Sequence, residues 1–269
     1  MPTACVVVPL YRTTLTKNER IALIQCDRLL AAHPRVFAKP RSLDATALLR
    51  EFPGFGTVDL DDGALASVRS YNALMLSADF YRRFAQYEYI LIHQLDALVF
   101  HDALAEWCAQ GYDYIGAPWI KPRTLRSPLA YARARIKKRI YDWLDRTKPD
   151  SVIPHSARIH FCVGNGGFSL RRVGAFIDVT ERFADAIRDF LQAVPALNED
   201  IFFSLGINGH STGLRIPDFR TAVRFAVEAA PREVLARYTG GELPFGCHAW
   251  EKMDLAFWQS VLRRYGHEI

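Results

Sequence analysis

The chain has 269 residues, 50% hydrophobic and 23% charged, an ordinary globular composition with enough apolar material for one sizeable core. Its longest apolar runs, such as 89–93 and 201–205, fall far short of the roughly 20 residues a membrane-spanning helix needs. The five cysteines, Cys5, Cys26, Cys108, Cys162 and Cys247, include no C-x-x-C pair, which excludes a zinc ribbon or disulfide framework and leaves them as small buried hydrophobes.

In chain order, Ala4-Cys5-Val6-Val7-Val8-Pro9 has no basic leader and no small-residue cleavage site, so it reads as a first buried strand and places the protein in the cytoplasm. Further strands are expected at 36–38, 89–94, 112–116 and 167–170, with Ile216 and 223–227 as weaker candidates. Tyr71, Leu74, Met75, Ala78 and Tyr81 form a helical stripe, as do Phe176, Phe183, Ile187, Phe190 and Leu191, and 255–265 closes the chain as a helix. Short apolar runs alternating with helices predict an α/β three-layer sandwich with a mainly parallel central sheet, in a single domain over 1–269.

Residues 121–154 interrupt that alternation. Prolines bracket a helix-like segment, 130–146, whose apolar residues Leu129, Ile136, Ile140, Trp143 and Leu144 contrast with an Arg/Lys-rich remainder. Between Lys121 and Asp150 ten Lys/Arg face three Asp, a local +7 in a chain whose net charge is +5, so the rest carries 5 − 7 = −2. Basicity is therefore a property of one insertion, beside the edge of the sheet where ligands collect.

Four short segments carry chemistry. Gln94-Leu95-Asp96 follows a strand, where a carboxylate can hold a hard cation that bridges phosphates, or merely cap a turn. Gly164-Asn165-Gly166-Gly167 allows close backbone approach and positive φ angles, yet is neither a dinucleotide fingerprint nor a Walker loop, and a tight hairpin would use it too. Glu199 and Asp200 open an apolar run, where acids suit a helix N-terminus but can also take a proton from a hydroxyl. His248 sits beside aromatics in Phe245-Gly246-Cys247-His248-Ala249-Trp250, a setting as compatible with a structural histidine as with a ligand.

In their order these segments resemble the GT-A glycosyltransferases, in which a D-x-D motif ends a central strand and is followed by a glycine-rich loop, an x-E-D motif and a late histidine. The strings Q-L-D (94–96), Y-I-G-A-P-W (114–119), V-G-N-G-G-F-S-L-R (163–171), E-D-x-F-F (199–203) and F-G-C-H-A-W (245–250) are similar to those of a bacterial and fungal group of GT-A-like proteins. The resemblance spans nearly the whole chain. It implies a Mn²⁺- or Mg²⁺-dependent transferase acting on a nucleotide sugar, UDP-sugars favoured, with a saccharide or lipid-linked saccharide acceptor in bacterial surface polysaccharide or glycolipid synthesis. Asp96 and His248 would hold the metal; Val8, Pro9, Gln94 and the loop 164–167 would contact the donor; Asp200 would be the base of an inverting reaction, with Glu199 in reserve. Gln94 replaces the first Asp of D-x-D, a position that suits a ribose hydroxyl.

Two rivals stand beside this reading. One is a nucleotide-sugar hydrolase or binding protein on the same fold. The other is a nucleic-acid or membrane-binding module built on Arg133, Arg135, Lys137, Lys138 and Arg139; it leaves the four segments unexplained, so no nucleic-acid partner is expected. A peripheral contact of 121–154 with anionic membrane, at its inner face, is compatible with a lipid-linked acceptor.

Overall fold

The structure is a computed structural model that describes residues 3–144, 154–193, 198–206 and 212–268. Nine strands are described, β1 (Ala4–Pro9), β2 (Arg35–Pro40), β3 (Phe55–Leu60), β4 (Tyr89–His93), β5 (Leu98–Val99), β6 (Tyr114–Gly116), β7 (Phe168–Arg172), β8 (Ala226–Val227) and β9 (Gly246–Cys247). Six form the central sheet in the order β3-β2-β1-β4-β7-β6. The first four run parallel, and β7 pairs antiparallel with both β4 and β6.

Alternation along β1 explains the layering. Val6 and Val8 enter one core with Leu91 and Phe168, whereas Cys5 and Val7 enter another with Ile90 and Ile92. A strand buried on both faces reads as a continuous apolar run, which is why β1 and β4 are plain in the sequence. The edge strand β3 is different: its four central residues are all partly or fully exposed, and no such run marks it. Four of the five cysteines are buried and Cys162 is half-buried, all as free thiols.

Several expected elements differ. The Tyr71–Tyr81 stripe is two helices, Val68–Met75 and Ala78–Arg82, because Ser77 caps a new one by accepting from Asp79 N. The 176–191 stripe likewise divides into Val173–Arg182 and Ala184–Ala193. Segment 223–227 is mostly helix, Phe219–Phe225, started by the Asp218 side chain accepting from Thr221 N, and only Ala226–Val227 is strand; Ile216 lies outside any strand. The basic helix runs Pro128–Trp143, and the expected continuation to 146 lies partly outside the described residues.

Two features position the chemistry. Antiparallel pairing of β7 with β4 sets Phe168 opposite His93, so the glycine loop before β7 meets the residues after β4, and Gln94 N donates to Gly167 O at 2.8 Å. A second, three-stranded sheet of two-residue strands, β5-β9-β8, pairs Leu98 with Cys247 and Val227 with Cys247. That register delivers the residues flanking each short strand, Asp96, His248 and Glu228, to one place.

Candidate active site

At the carboxyl end of β4, Asp96 Oδ1 and Gln94 Oε1 each lie 3.2 Å from His248 Nε2. On the other edge of the imidazole, Nδ1 is 3.6 Å from Glu228 Oε1 and 3.0 Å from Asn165 Nδ2, and Asn165 Nδ2 donates to Glu228 Oε2 at 2.8 Å. Lys252 Nζ stands 3.3 Å from Asp96 Oδ2. Burial pulls the His248 pKa down, but hydrogen bonds to Asp96 and Glu228 outweigh it and raise the value to about 9. Burial pushes Asp96 up, and the His248 contact with the Lys252 charge more than reverses this, holding its carboxyl well below the usual carboxylate range.

The glycine loop is shaped by its neighbours rather than by its own torsions. The positive φ belongs to Asn165, at 76°, and to no glycine of 164–167, contrary to the expectation that the glycines would supply it. What these glycines give is closeness. A Cβ on Gly167 would fall 2.1 Å from His248 Nε2, and one on Gly166 2.2 Å from Glu199 Oε1. Asn165 Oδ1 accepts from Gly167 N at 3.0 Å, which closes the turn and aims the Asn165 amide at Glu228.

Glu199 and Asp200 open the helix Glu199–Leu205, and they have different surroundings. Glu199 accepts from the fully buried Arg171 at 2.8 Å, and Arg171 also donates to Tyr81 Oη at 2.9 Å. This carboxylate is committed to a buried ion pair. Asp200 Oδ2 accepts from Gly166 N at 3.1 Å, while its Oδ1 is shielded from solvent without a partner. Burial first, then the Glu199 charge, raise Asp200 to about 7.

A cleft of about 640 Å³ opens over this end of the sheet, lined among others by Pro9, Ser67, Tyr71, Gln94, Asp96 and Lys252. The Val8 side chain is fully buried in the core, so Pro9 is the residue of the two that faces the cleft. Asp200 and the glycine loop are not on its wall; they stand behind Gln94 and His248. Three residues of this site were not singled out by sequence. Glu228 follows a two-residue strand with no recognisable pattern, Lys252 looks like any surface lysine, and Tyr71, whose Oη is shielded and unpartnered, looks like core.

As to a metal, the donor set pairs one carboxylate oxygen, one imidazole nitrogen and one amide oxygen. Among the described residues no group of three or more His, Cys, Asp or Glu is placed to hold an ion. Asp96, His248 and Gln94 nevertheless fit a Mn²⁺- or Mg²⁺-sized cation in type. Glu228 and Asn165, both against Nδ1, would hold the ring with Nε2 turned to Asp96 and Gln94.

The profile of a family described as protein of unknown function (DUF5672) matches residues 54–248, a span that holds Gln94, Asp96, the glycine loop and the Glu199-Asp200 pair and ends on His248. The chain belongs to this family. No curated protein matches the chain. Among solved structures, the galactosyltransferase LgtC crystallised with donor and acceptor sugar analogues is similar at a TM-score of 0.52 and 12% identity, over 97% of this chain and 94% of that one. An active-site mutant of LgtC gives 0.55 and 13%, over 97% and 95%. Mouse xyloside xylosyltransferase 1 in its apo form gives 0.53 and 15%, over 92% and 98%. The DUF5672 chain thus has the mixed α/β fold of the GT-A glycosyltransferases, as its motif order implied.

Proposed function

We propose that this DUF5672 protein is a glycosyltransferase that moves a sugar from a nucleoside-diphosphate sugar, UDP-sugars favoured, to a hydroxyl of a saccharide or lipid-linked saccharide. The observation that carries this reading is the convergence of Gln94, Asp96 and His248 at the carboxyl end of β4, where an α/β sheet collects its ligands, with Gln94 and Asp96 lining the cleft and His248 packed against both. The reading takes 1–269 as one catalytic domain with 121–154 as its insertion.

Expelling a nucleoside diphosphate requires positive charge where negative charge builds up. Asp96, His248 and Gln94 would hold Mn²⁺ or Mg²⁺, which when bound supplies Lewis-acid stabilisation of the diphosphate. Lys252, already paired with Asp96 on the cleft wall, adds a second cation from the protein itself. Pro9 and Tyr71 would bound the nucleoside, and Gln94 has an amide to offer a ribose hydroxyl. The loop 164–167 would support the site from behind, because the space beside its glycines is taken by Trp119, Glu199 and His248.

Asp200 is the base of this scheme, which requires the acceptor hydroxyl to reach it behind Gln94 and His248. It has one free acceptor oxygen, a carboxyl whose pKa of about 7 suits proton abstraction near neutrality, and a fixed hydrogen bond from Gly166 that orients it. Attack opposite the leaving group inverts the anomeric centre. Glu199, held by Arg171, is a positioning residue rather than a reserve base.

The helix Pro128–Trp143 supports a peripheral contact with anionic membrane at the cytoplasmic face, as surface polysaccharide or glycolipid synthesis would need. Its outward stripe of Leu129, Ile136, Ile140 and Trp143 is exposed, Trp143 by 83%, with Arg133, Lys137 and Arg139 beside it. Lys138 is excluded from that set because it donates to the Arg158 carbonyl and to Cys162 Sγ, holding the helix to the body. Among the described residues no helix is long and apolar enough to cross a membrane.

The deciding experiment is a screen of nucleoside-diphosphate sugars with Mn²⁺, with and without saccharide acceptors, read by nucleotide release and product NMR. Release that needs no acceptor would favour the hydrolase reading, and binding with no release the binding-protein reading.

A further inference from the structure

Three helices, Pro128–Trp143, Phe219–Phe225 and Pro231–Tyr238, enclose a hollow of about 290 Å³ lined by Tyr131, Arg220, Arg224, Arg237 and Tyr238. The glycosyl-transfer reading makes no use of it. No carboxylate lines it, so three guanidinium charges gather without an acid among them, an arrangement that an anion would relieve. Arg237 is held in place by stacking, its guanidinium carbon 4.2 Å from the Tyr131 ring centroid and 5.9 Å from that of Tyr238. Tyr238 Oη is shielded from solvent beside the Tyr131 hydroxyl, and a phenol pair bonded to itself keeps one O–H for a ligand oxygen.

We propose that this hollow is an anion site for a phosphate group. Guanidinium forks match phosphate oxygens two at a time, and a phenol adds one directed O–H. Burial and the neighbouring Tyr131 hydroxyl push the Tyr238 phenol up, so it stays a donor. The source is either a phospholipid headgroup or a free phosphate, and the two share the chemistry named here. Tyr131 belongs to the basic helix that carries the exposed apolar stripe, so occupancy of the hollow and the placement of that helix are coupled through one side chain.

The test uses the full chain and three probes: inorganic phosphate and glucuronate by calorimetry, and phosphatidic acid in phosphatidylcholine vesicles by sedimentation, against phosphatidylcholine alone. Phosphate binding is expected to weaken about tenfold or more in R220Q/R224Q and about threefold in Y238F, and to fall as salt rises. All three arginines are exposed, so these variants should keep the parent's thermal unfolding and its nucleoside-diphosphate affinity in the cleft. That separates failure here from failure of the glycosyl-transfer reading. Phosphatidic acid vesicles bound and competed off by free phosphate assign the lipid source; vesicles ignored while phosphate binds assign the free one. Equal phosphate affinity in parent and R220Q/R224Q, glucuronate bound as tightly as phosphate, or no response to either phosphate probe overturns the proposal.

Discussion

His248 Nε2 lies 3.2 Å from Asp96 Oδ1 while its Nδ1 faces Glu228 3.6 Å away, so one imidazole is gripped by two carboxylates delivered from different strands of the small β5-β9-β8 sheet. In the proposed scheme the Nε2 edge would face the metal and the Nδ1 edge would hold the ring. Asp96→Asn should abolish the difference in nucleoside-diphosphate affinity between Mn²⁺ and EDTA. Glu228→Gln, which disturbs only the holding edge, should weaken Mn²⁺-dependent binding by roughly 10-fold. Titration calorimetry of both variants checks this; equal affinities in Mn²⁺ and EDTA for the parent would remove the metal from the scheme.

Gly167→Ala should act on the same imidazole from below. The added Cβ would sit 2.1 Å from His248 Nε2, so the ring must move, and overpacking of this kind costs about 1–3 kcal/mol. Thermal unfolding should show a modest loss, and nucleoside-diphosphate binding a larger one, because the displaced atom is the nitrogen proposed to ligate the metal. A variant with lowered stability and unchanged binding would mean that His248 is structural.

Asp200 gives a pH dependence whose sign is fixed by the direction of its shift. Its folded pKa of about 7 lies above the usual carboxylate value, so the folded protein keeps a proton that the unfolded chain releases. The stability this provides is complete below pH ~4 and is lost as pH rises through about 7. Asp200→Asn should therefore be more stable than the parent at pH 8 and lose that slope. Turnover moves the other way: in the parent it should rise with pH to a plateau above about 7, and Asp200→Asn should lower it by about 10²- to 10⁴-fold. Denaturant midpoints and rates across pH 5–9 measure both, and near-normal turnover in Asp200→Asn would eliminate the base.

Glu199→Gln should injure stability before chemistry. Arg171 and Glu199 are 0% and 2% exposed and 2.8 Å apart, and removing one partner of a buried pair strands the other at a cost of about 3–5 kcal/mol. Urea unfolding should show this loss, while turnover per folded molecule changes far less than in Asp200→Asn. The reverse pattern would return Glu199 to the role of base.

On the insertion, Arg133, Lys137 and Arg139 changed together to Ser should weaken binding to anionic vesicles in a salt-dependent way, by about 1 kcal/mol per charge, without altering nucleotide binding. Lys138→Ser should instead loosen the helix, since its ammonium reaches Arg158 O at 2.9 Å and Cys162 Sγ at 3.2 Å. Vesicle sedimentation and thermal unfolding distinguish the two, and a parent protein that ignores anionic vesicles ends the membrane reading.

Sequence alone determined the elements whose signal is local. A strand buried on both faces, as β1 and β4 are, has no choice but to be continuously apolar, and the residues just after such a strand in an α/β sheet lie where ligands bind, which is why Asp96 could be singled out as a candidate. The order of motifs carried the GT-A fold as well. Tertiary structure decided what depends on pairing between distant segments. Two-residue strands have too little periodicity to read, so nothing in the chain announced that β5, β8 and β9 would bring Asp96, Glu228 and His248 together. Likewise Glu199 and Asp200 are adjacent acids, indistinguishable in sequence, and only the fold separates them: one meets Arg171 from β7 and the other meets a backbone amide while its second oxygen is buried without a partner. Their chemistry differs because burial and the nearest charge set a carboxyl's behaviour, and both are properties of the packed chain.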